Sequence, residues 1–352
     1  MAHSLIVFYC GLFPVPLLRR DFEDAPLFFP ALSGLMLAGE NEVWMSKLLD
    51  IILGEQGLPK RLYHYTSIDA FTEIVNSKKE NRFLCTNFRF LNDINEFRKG
   101  CRLAGAWLEK YWGVCESIKA KVLAEIDRCV DEDQCYFDPW ILSFSTERDA
   151  TALWMSYTDR QRGGVAIGVS RDRLSRDIES LDRKVKRGMR EEDFGQAIGG
   201  AALLPCIYLD ETLFGSGDTI FEKALSYIFC ERESFYCLAR QDADKYAVCC
   251  ARQVVRLAAL VKGSDYAFEN EWRIVFTPMA QKIGNKELFS RMVVCGGKPR
   301  ISICRHLNNN IIDEVLVSPH GNSERVALLA SMVKQTRGYR YNVSASNSSF
   351  VG

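Results

Sequence analysis

Residues 163–169 place the strongest constraint on the fold of this chain. Gly163 and Gly164 lead into Val165–Val169, five residues without a charged side chain, and such a run is typical of a buried strand. Strand-like and helix-like patterns alternate on both sides of it, which predicts one large domain of mixed α and β structure. The other predicted strands are 61–65, 82–87, 140–145, 201–208, 271–277 and 314–317. The predicted helices are 44–53, 66–75, 94–111, 114–135, 151–157, 172–193, 219–238, 244–262 and 323–334.

The length and charge of the chain bear on the broad class of protein. With 352 residues it can bury a sizeable core in one large domain or two ordinary ones. Lys and Arg number 45 and so do Asp and Glu, so the formal net charge is zero. Proteins that bind nucleic acid over a broad surface rely on an excess of basic residues, so this balance argues against that class. The locally basic stretch 183–190 is either a solvated helix face or a local binding patch.

Cysteine and histidine usage bears on compartment and on metals. The 13 cysteines are an odd number, form no C-x-x-C pair and lie mostly in apolar stretches. Reduced cysteines that act as small core hydrophobes fit this distribution better than a disulfide framework does, and they indicate a cytoplasmic protein. With four histidines and no paired-ligand spacing, no metal site is predicted.

The two ends of the chain differ from its centre. The apolar run after His3 has no Lys or Arg before it and contains prolines, so neither a signal peptide nor a membrane helix is predicted, and no later segment suits a membrane. A start codon placed too early, with Met36 or Met45 as the real one, is the alternative to an N-terminal extension. The predicted segments are an extension with a short helix at 1–57, a single catalytic-type α+β domain at 58–336 and a loose Ser/Asn-rich tail at 337–352.

The chain lacks the sequence patterns of several common enzyme classes. It contains no G-x-x-x-x-G-K-[ST], no G-x-S-x-G and no H-E-x-x-H, and no G-x-G-x-x-G follows a predicted strand. The usual hydrolase, kinase and dehydrogenase interpretations therefore lose their main support.

The first block that could carry chemistry is Y-H-Y-T-S at 63–67, where a predicted strand ends. Side chains alternate along a strand, so Tyr63 and Tyr65 share one face while His64 and Thr66 share the other. A histidine at a strand end can reach into a cleft. The alternative is a core histidine bonded to a backbone carbonyl.

The second block is F-E-N-E-W-R-I-V-F at 268–276. Glu269, Glu271 and Arg273 alternate with Trp272 and Ile274, so the three charged side chains share one face of the predicted strand. A solvated edge does not need three charged residues at the start of an apolar strand. The block is therefore a candidate site, and the alternative is a surface ladder of ion pairs.

Five short motifs in this order resemble a bacterial domain family of unknown function, over roughly residues 58–320. The motifs are Y-H-Y-T-S at 63–67, L-N-D at 91–93, F-S at 144–145, W-x-x-Y at 154–157 with Gly163-Gly164 after it, and E-x-E-W-R at 269–273. That family in turn resembles, more distantly, the ADP-ribosyltransferase superfamily. The resemblance implies an α+β fold with a mixed, split β-sheet around a cleft for NAD, flanked by helices.

The resemblance implies roles for particular residues. His64 matches the first-strand residue that holds a ribose hydroxyl of NAD, and Glu271 matches the late-strand catalytic glutamate, with Glu269 orienting or deprotonating the acceptor. Tyr65 departs from the small residue that often follows the histidine. The middle role falls to one of Phe88, Ser145 and Tyr157. The implied contacts to NAD, as substrate, are His64, Tyr65, Thr66, Ser145, Tyr157 and Arg273.

Three functional hypotheses remain open. The first is an ADP-ribosyltransferase-like enzyme acting on NAD, and the family context suggests a bacterial toxin or phage-defence effector with a protein or nucleic-acid acceptor and a neutralising or regulatory protein partner. The second is a metal-dependent nuclease in which Asp265 and the strand of Glu269, Glu271 and Arg273 hold Mg²⁺ and a phosphate. The third is a non-catalytic binding or sensor module.

Overall fold

The chain divides into two compact units, Met1–Ser46 and Lys47–Gly352. The computed structural model describes residues 8–10, 13–15, 47–75, 83–91, 94–131, 138–187, 200–230, 243–277, 292–295, 297–302 and 311–348. The first unit contains an antiparallel pair of strands, β1 (Phe8–Cys10) and β2 (Phe13–Val15). Outside the described residues lie the turn at 92–93, the side chains of the basic stretch 183–190, and the predicted helix ends at 132–135, 188–193 and 231–238.

The second unit alternates helices and strands, as the sequence predicted. Its described helices are α1 (residues 47–53), α2 (Ile68–Val75), α3 (Ile94–Tyr111), α4 (Glu116–Asp131), α5 (Thr151–Tyr157), α6 (Arg171–Arg187), α7 (Ile220–Cys230), α8 (Ala243–Ala258) and α9 (Ser323–Arg337). Its described strands are β3 (Arg61–Ser67), β4 (Leu84–Asn87), β5 (Trp140–Ser145), β6 (Gly164–Ser170), β7 (Gly200–Pro205), β8 (Ile207–Leu209), β9 (Val261–Gly263), β10 (Glu271–Thr277), β11 (Met292–Cys295), β12 (Lys298–Ser302), β13 (Ile312–Val317) and β14 (Asn342–Ala345).

Ten of these strands form one open, mixed sheet. The main path runs β11-β12-β4-β5-β3-β6-β13-β14, and β10 and β7 extend from β5 on a branch. The β13–β14 pair is parallel and the other pairs are antiparallel. Helices flank the sheet, so the predicted mixed α+β class is confirmed.

The sheet divides at β5. Along one edge, β5 pairs with β10 over its whole length. The other edge is shared, because β4 pairs with its first two residues and β3 pairs at Ser145 alone. Between those contacts, β3 and β4 diverge, so the sheet is split there. That the split surrounds a cleft stays a prediction.

The core follows from side-chain alternation along the strands. One face carries Phe144, Ile167 and Trp272, which pack in one cluster with Phe71 of α2 and Leu174 of α6. The opposite face carries a smaller cluster in which Tyr63 and Tyr65 pack against Leu153 and Trp154 of α5, with Ala166 and Leu316. Seven cysteines of the described residues are free thiols, and five of them are buried: Cys85, Cys101, Cys129, Cys206 and Cys250.

Two predicted elements end earlier than the sequence indicated. The helix predicted over 244–262 ends at Ala258, and residues 261–263 form β9 instead. The strand predicted over 201–208 is interrupted at Cys206, where the chain changes partner: Cys206 donates its N–H to Glu271 O, and Ile207 donates to Leu260 O. Backbone pairing between distant segments decides both boundaries, and local patterns do not report it.

The ends of the second unit also correct the prediction. The helix assigned to the 1–57 extension lies in the main unit, since Leu48 is buried there. Asn322, and not Ser323, caps α9, because its side chain accepts from the N–H of Arg325. The tail predicted to be loose from 337 is ordered through 348: β14 pairs with β13, and Tyr341 is fully buried with its hydroxyl donated to Ala330 O.

Within the described residues, no helix combines the length and the apolar character needed to cross a membrane.

Candidate active site

Three of the resemblance motifs lie on adjacent strands in the order β3-β5-β10. Tyr63 is in register with Ser145, and Ser145 is in register with Glu271. Directly opposed residues of antiparallel strands point to the same face, so these three side chains form one row. The row lies where β10 begins and β5 ends, and it places Glu271 on the face that α5 covers.

Lys262 joins the two candidate acids. Its ammonium donates to Glu269 Oε2 and, at 2.7 Å, to Glu271 Oε2. Lys262 is 1% exposed and both glutamates are 5% exposed, so solvent screens these interactions little. Burial alone would lower the pKa of Lys262, but the Glu271 carboxylate and the hydrogen bonds to both acids raise it above its ordinary value. Lys262 is therefore a permanent cation between two carboxylates.

Arg273 fixes Glu271 from the other side. Its Nε donates to Glu271 Oε1 at 2.8 Å and its Nη2 to Oε2 at 3.2 Å, a two-pronged contact. Its Nη1 donates to the carbonyl of Ala259 at 2.8 Å. We call Lys262, Glu269, Glu271 and Arg273 the carboxylate site. Two cations and two anions give it a net charge of zero, and it is buried, which differs from the surface ladder considered as an alternative.

Glu271 is ionised across the physiological range. Burial opposes its charge, but Arg273 and Lys262 outweigh burial and lower its pKa to about 2. A carboxyl with this pKa cannot donate a proton near neutral pH. It can orient a hydroxyl group or stabilise a positive charge that develops beside it.

Two further predicted residues reach Glu269. Tyr157, at the end of α5, donates its hydroxyl to both carboxylate oxygens at 3.2 Å although its ring is 42% exposed. Burial of the phenol raises the pKa of Tyr157, so it acts as a hydrogen-bond donor. Ser145 donates to the backbone carbonyl of Glu269 at 2.6 Å and accepts from the N–H of Glu147. Of these two residues, Tyr157 bonds to the side-chain carboxylate of Glu269, whereas Ser145 bonds to its backbone.

The turn into β10 is held by an unusual backbone conformation. Asn270, between the two acids, has a φ of 43°, in the left-handed region that asparagine tolerates better than most residues. Its side chain donates to Glu147 Oε1 at 2.8 Å, and its carbonyl accepts from the N–H of Thr146. This turn brings the side chain of Glu269 onto Lys262 together with that of Glu271, which strand alternation alone does not explain.

The structure does not bring His64 to Glu271. The His64 ring contacts Phe83 and Phe144, on the face opposite to Glu271. Its Nδ1 lies 2.8 Å from the carbonyl of Ser143, and because a carbonyl only accepts, Nδ1 carries the proton. Burial lowers the pKa of His64, so the ring is neutral. His64 thus occupies the split between β3 and β4, as the backbone-bonded alternative described, and its contact to a ribose stays a prediction.

Three other residues from the prediction lie away from the carboxylate site. The Tyr65 hydroxyl donates to Glu147 O and accepts from the N–H of Ala150, so it braces the loop after β5. Thr66 is buried at the end of β3. Phe88 packs against Phe97, with ring centroids 4.1 Å apart, near the start of α3. Of the candidates for the middle role, only Ser145 and Tyr157 are next to Glu269.

Sequence reasoning missed two residues of the site. The predicted helix 244–262 ends at Lys262, although a lysine directly after the apolar run 257–261 is a signal of a buried, paired charge. Tyr208 accepts from the N–H of Glu271 at 2.7 Å through its hydroxyl. No local pattern identifies Tyr208, because its position depends on the β8–β9 pair.

The arrangement also bears on the nuclease hypothesis. In the described part of the chain, no group of three His, Cys, Asp or Glu side chains could hold a metal ion. The position between Glu269 and Glu271, where a metal would bridge them, contains the Lys262 ammonium. Asp265 is exposed and lies in the segment between Lys262 and Glu269.

Comparison with known proteins identifies one similar family. Residues 153–274 match the family described as "Protein of unknown function (DUF2971)". The matched segment includes the W-x-x-Y helix, the glycine-led strand and the E-x-E-W-R strand as far as Ile274, which supports the predicted resemblance to a domain family of unknown function. No curated protein and no solved structure matches the chain. The likeness to ADP-ribosyltransferases stays a prediction.

Proposed function

We propose that this chain is an ADP-ribosyltransferase-like enzyme that cleaves NAD. The observation that carries the proposal is the row formed by Tyr63, Ser145 and Glu271 on three adjacent strands. The superfamily that the sequence resembles combines a first-strand His or Arg that holds a ribose hydroxyl, a Ser/Thr or aromatic group and a late-strand glutamate at its NAD site. The first role falls to His64, which is the neighbour of Tyr63 on the same strand. The strands that carry these motifs are neighbours in this chain, at the point where the sheet splits.

The chemistry requires an ionised carboxylate beside the ribose. The bond between ribose C1′ and the nicotinamide nitrogen breaks, and its electron pair leaves with nicotinamide. C1′ then bears a developing positive charge, which the anionic carboxylate of Glu271 stabilises while it orients the adjacent 2′-hydroxyl. The low pKa of Glu271 supports this role, since the group never has to lose a proton first. The acceptor nucleophile forms the new bond to C1′ and its proton passes to Glu269.

The charge balance of the carboxylate site implies a movement when substrate binds. Lys262 and Arg273 neutralise both acids, so an additional cationic centre gains little while both contacts persist. Arg273 holds Glu271 and Ala259 O through a planar, two-pronged guanidinium, whereas Lys262 presents a single ammonium on a flexible four-carbon stem. We therefore assign the displacement to Lys262, whose ammonium would turn toward the pyrophosphate of NAD.

The remaining predicted contacts fit around this step. Tyr157 would hold Glu269 through its hydroxyl, and His64 would approach the adenosine ribose from the split between β3 and β4. The acceptor would be a protein or a nucleic acid. A cytoplasmic effector of bacterial toxin or phage-defence type, restrained by a neutralising protein partner, is the setting we propose for such an activity.

The test compares nicotinamide release from NAD by the wild type and by single variants. Glu271→Gln should reduce the rate by about 100-fold or more, because it removes the charge that stabilises the transition state. Tyr157→Phe removes one hydroxyl from a partly exposed ring and should reduce the rate by about tenfold. The second variant is needed because Glu271→Gln also removes a charge that Lys262 and Arg273 bond to, so it can lower stability as well as activity.

Asp265→Asn is the matched control, since it neutralises an exposed carboxylate in the same segment. It should release nicotinamide at the wild-type rate, and EDTA should change neither rate. Unfolding curves must show each variant folded at the assay temperature. A folded Glu271→Gln variant with wild-type activity would refute the assignment, and nicotinamide release lost both in Asp265→Asn and in EDTA would refute the metal-free mechanism. The nuclease hypothesis predicts instead no nicotinamide release and an EDTA-sensitive cleavage of RNA or DNA.

A further inference from the structure

The loop 146–150, between β5 and α5, connects the carboxylate site to the C-terminal end of the described chain. On its inner side, the Thr146 N–H donates to Asn270 O, and Glu147 accepts from the Asn270 side chain. Asn270 directly precedes Glu271. Any displacement of this loop therefore acts on the turn that presents both acids.

Asp149 is the main contact on the outer side of the loop. Its Oδ1 accepts from the Ser346 hydroxyl at 2.5 Å and from the Trp154 indole N–H at 2.7 Å, and its Oδ2 accepts from the N–H of Asn347 at 2.7 Å. Thr151 and Ser348 pair through their hydroxyls at 2.7 Å. Residues 346–348, which we call the clasp, thus supply three contacts to the start of α5.

The clasp has a fixed origin in the sheet. It follows β14 without a break, and the N–H of Ser346 donates to Val317 O at 2.9 Å. Within the clasp, the N–H of Ser348 donates to the Ser346 hydroxyl. Arg148 adds a parallel link, since it pairs with Glu314 at 2.6 Å and donates to Ser344. The C-terminal strand and the loop are therefore held together at several points.

The consequence for the site passes through α5. Trp154 is fully buried, bonds to Asp149 and packs edge-on against Tyr65, with ring centroids 4.7 Å apart. Tyr157 lies three residues further along the same short helix and donates to Glu269. Residues three apart on a helix project to similar sides, so the anchor at Trp154 sets the direction of Tyr157.

We infer that Asp149 is a positioning residue through which the clasp holds the loop 146–150 and directs Tyr157 onto Glu269. The Y-H-Y-T-S and W-x-x-Y motifs then hold the same loop: Tyr65 bonds to it from the sheet, and Trp154 bonds to Asp149, which the clasp also contacts. The inference concerns the site of the proposed function, but its geometry does not depend on NAD.

The test uses two truncations of the full chain. A chain ending at Ala345 lacks the clasp, whereas a matched chain ending at Ser348 retains it. With 3-fluorotyrosine at position 157, the ¹⁹F resonance should move toward that of a solvated phenol in the first chain and stay in place in the second. Hydrogen exchange of amides in 147–157 should rise by about tenfold in the first chain, with little change in Val165–Val169.

Point variants separate positioning from general stability. Asp149→Ala should move the ¹⁹F resonance as far as the truncation at Ala345 does. Asp149→Asn should move it less, because the amide oxygen of asparagine still accepts one hydrogen bond. An unmoved Tyr157 resonance in the chain ending at Ala345 would overturn the inference. So would exchange that rises equally in Val165–Val169, since the clasp would then stabilise the whole unit and not the site. Neither readout uses NAD, so these outcomes are distinct from failure of the proposed function.

Discussion

Lys262→Met offers the sharpest test of the buried charge network. The substitution keeps the length and apolar stem of the side chain and removes only the ammonium. In this variant the carboxylate of Glu271 still has its ion pair with Arg273. The carboxylate of Glu269 loses its ion pair, and among the described residues the hydroxyl of Tyr157 remains bonded to it. Removal of one partner from a buried ion pair costs about 3–5 kcal/mol, because the remaining charge stays desolvated.

That loss is large against the stability of an ordinary domain, which is about 5–15 kcal/mol. It is measurable as a decrease in the free energy of unfolding from urea titrations followed by tryptophan fluorescence. The matched control is Lys121→Met, which removes an exposed ammonium from Asp244 and should cost at most about 1 kcal/mol. The decrease in the free energy of unfolding caused by Lys262→Met should also become smaller below neutral pH, since a buried carboxylate without its cation takes up a proton more readily.

A double variant completes this prediction. Glu269→Gln removes the charge that Lys262→Met leaves uncompensated, so the double variant should be less destabilised than the sum of the two single changes. If Lys262→Met costs no more than Lys121→Met, the ammonium does not stabilise the two acids, and the description of the carboxylate site is wrong.

Two further predictions concern pH and packing. The pKa of Glu271 falls from its ordinary value of 4.5 to about 2 on folding. The ionised group therefore contributes about 3 kcal/mol to the free energy of unfolding above pH 4.5, and this contribution is lost as the pH falls toward 2. Urea titrations across that range should show a steeper loss for the wild type than for Glu271→Gln, and parallel curves would contradict this. Gly164→Ala would place a Cβ 2.5 Å from Thr66 O and should cost about 1–3 kcal/mol. Gly105 lies in α3, and a Cβ there would lie 3.5 Å from Leu123 of α4, so Gly105→Ala should be neutral or stabilising by thermal unfolding. The reverse order of the two glycine variants would refute the packing argument.

Alternation along strands made much of this fold predictable. The predicted strand 271–277 and the shared face of Glu271 and Arg273 are confirmed, because period-two alternation is a local property. The same rule separated Tyr63 from His64, and the structure places them on opposite faces. His64 lies on the face opposite to Glu271, because residues adjacent in sequence to an in-register residue point the other way.

Contacts between distant segments were not predictable in this way. Lys262 reaches the acids because β9 pairs with β8, two three-residue strands whose partners lie about fifty residues apart. The ordered tail depends on the parallel pairing of β14 with β13, which a Ser/Asn-rich composition does not indicate. In each case the stabilising free energy comes from tertiary pairing, and local propensity carries little information about it.

The most direct test of the central claim is nicotinamide release by the wild-type protein from NAD in the presence of EDTA. The account predicts release above the buffer rate, with the ADP-ribosyl group recovered on an acceptor or on water. Intact NAD after incubation with folded protein and a cell extract as the source of acceptors would contradict it.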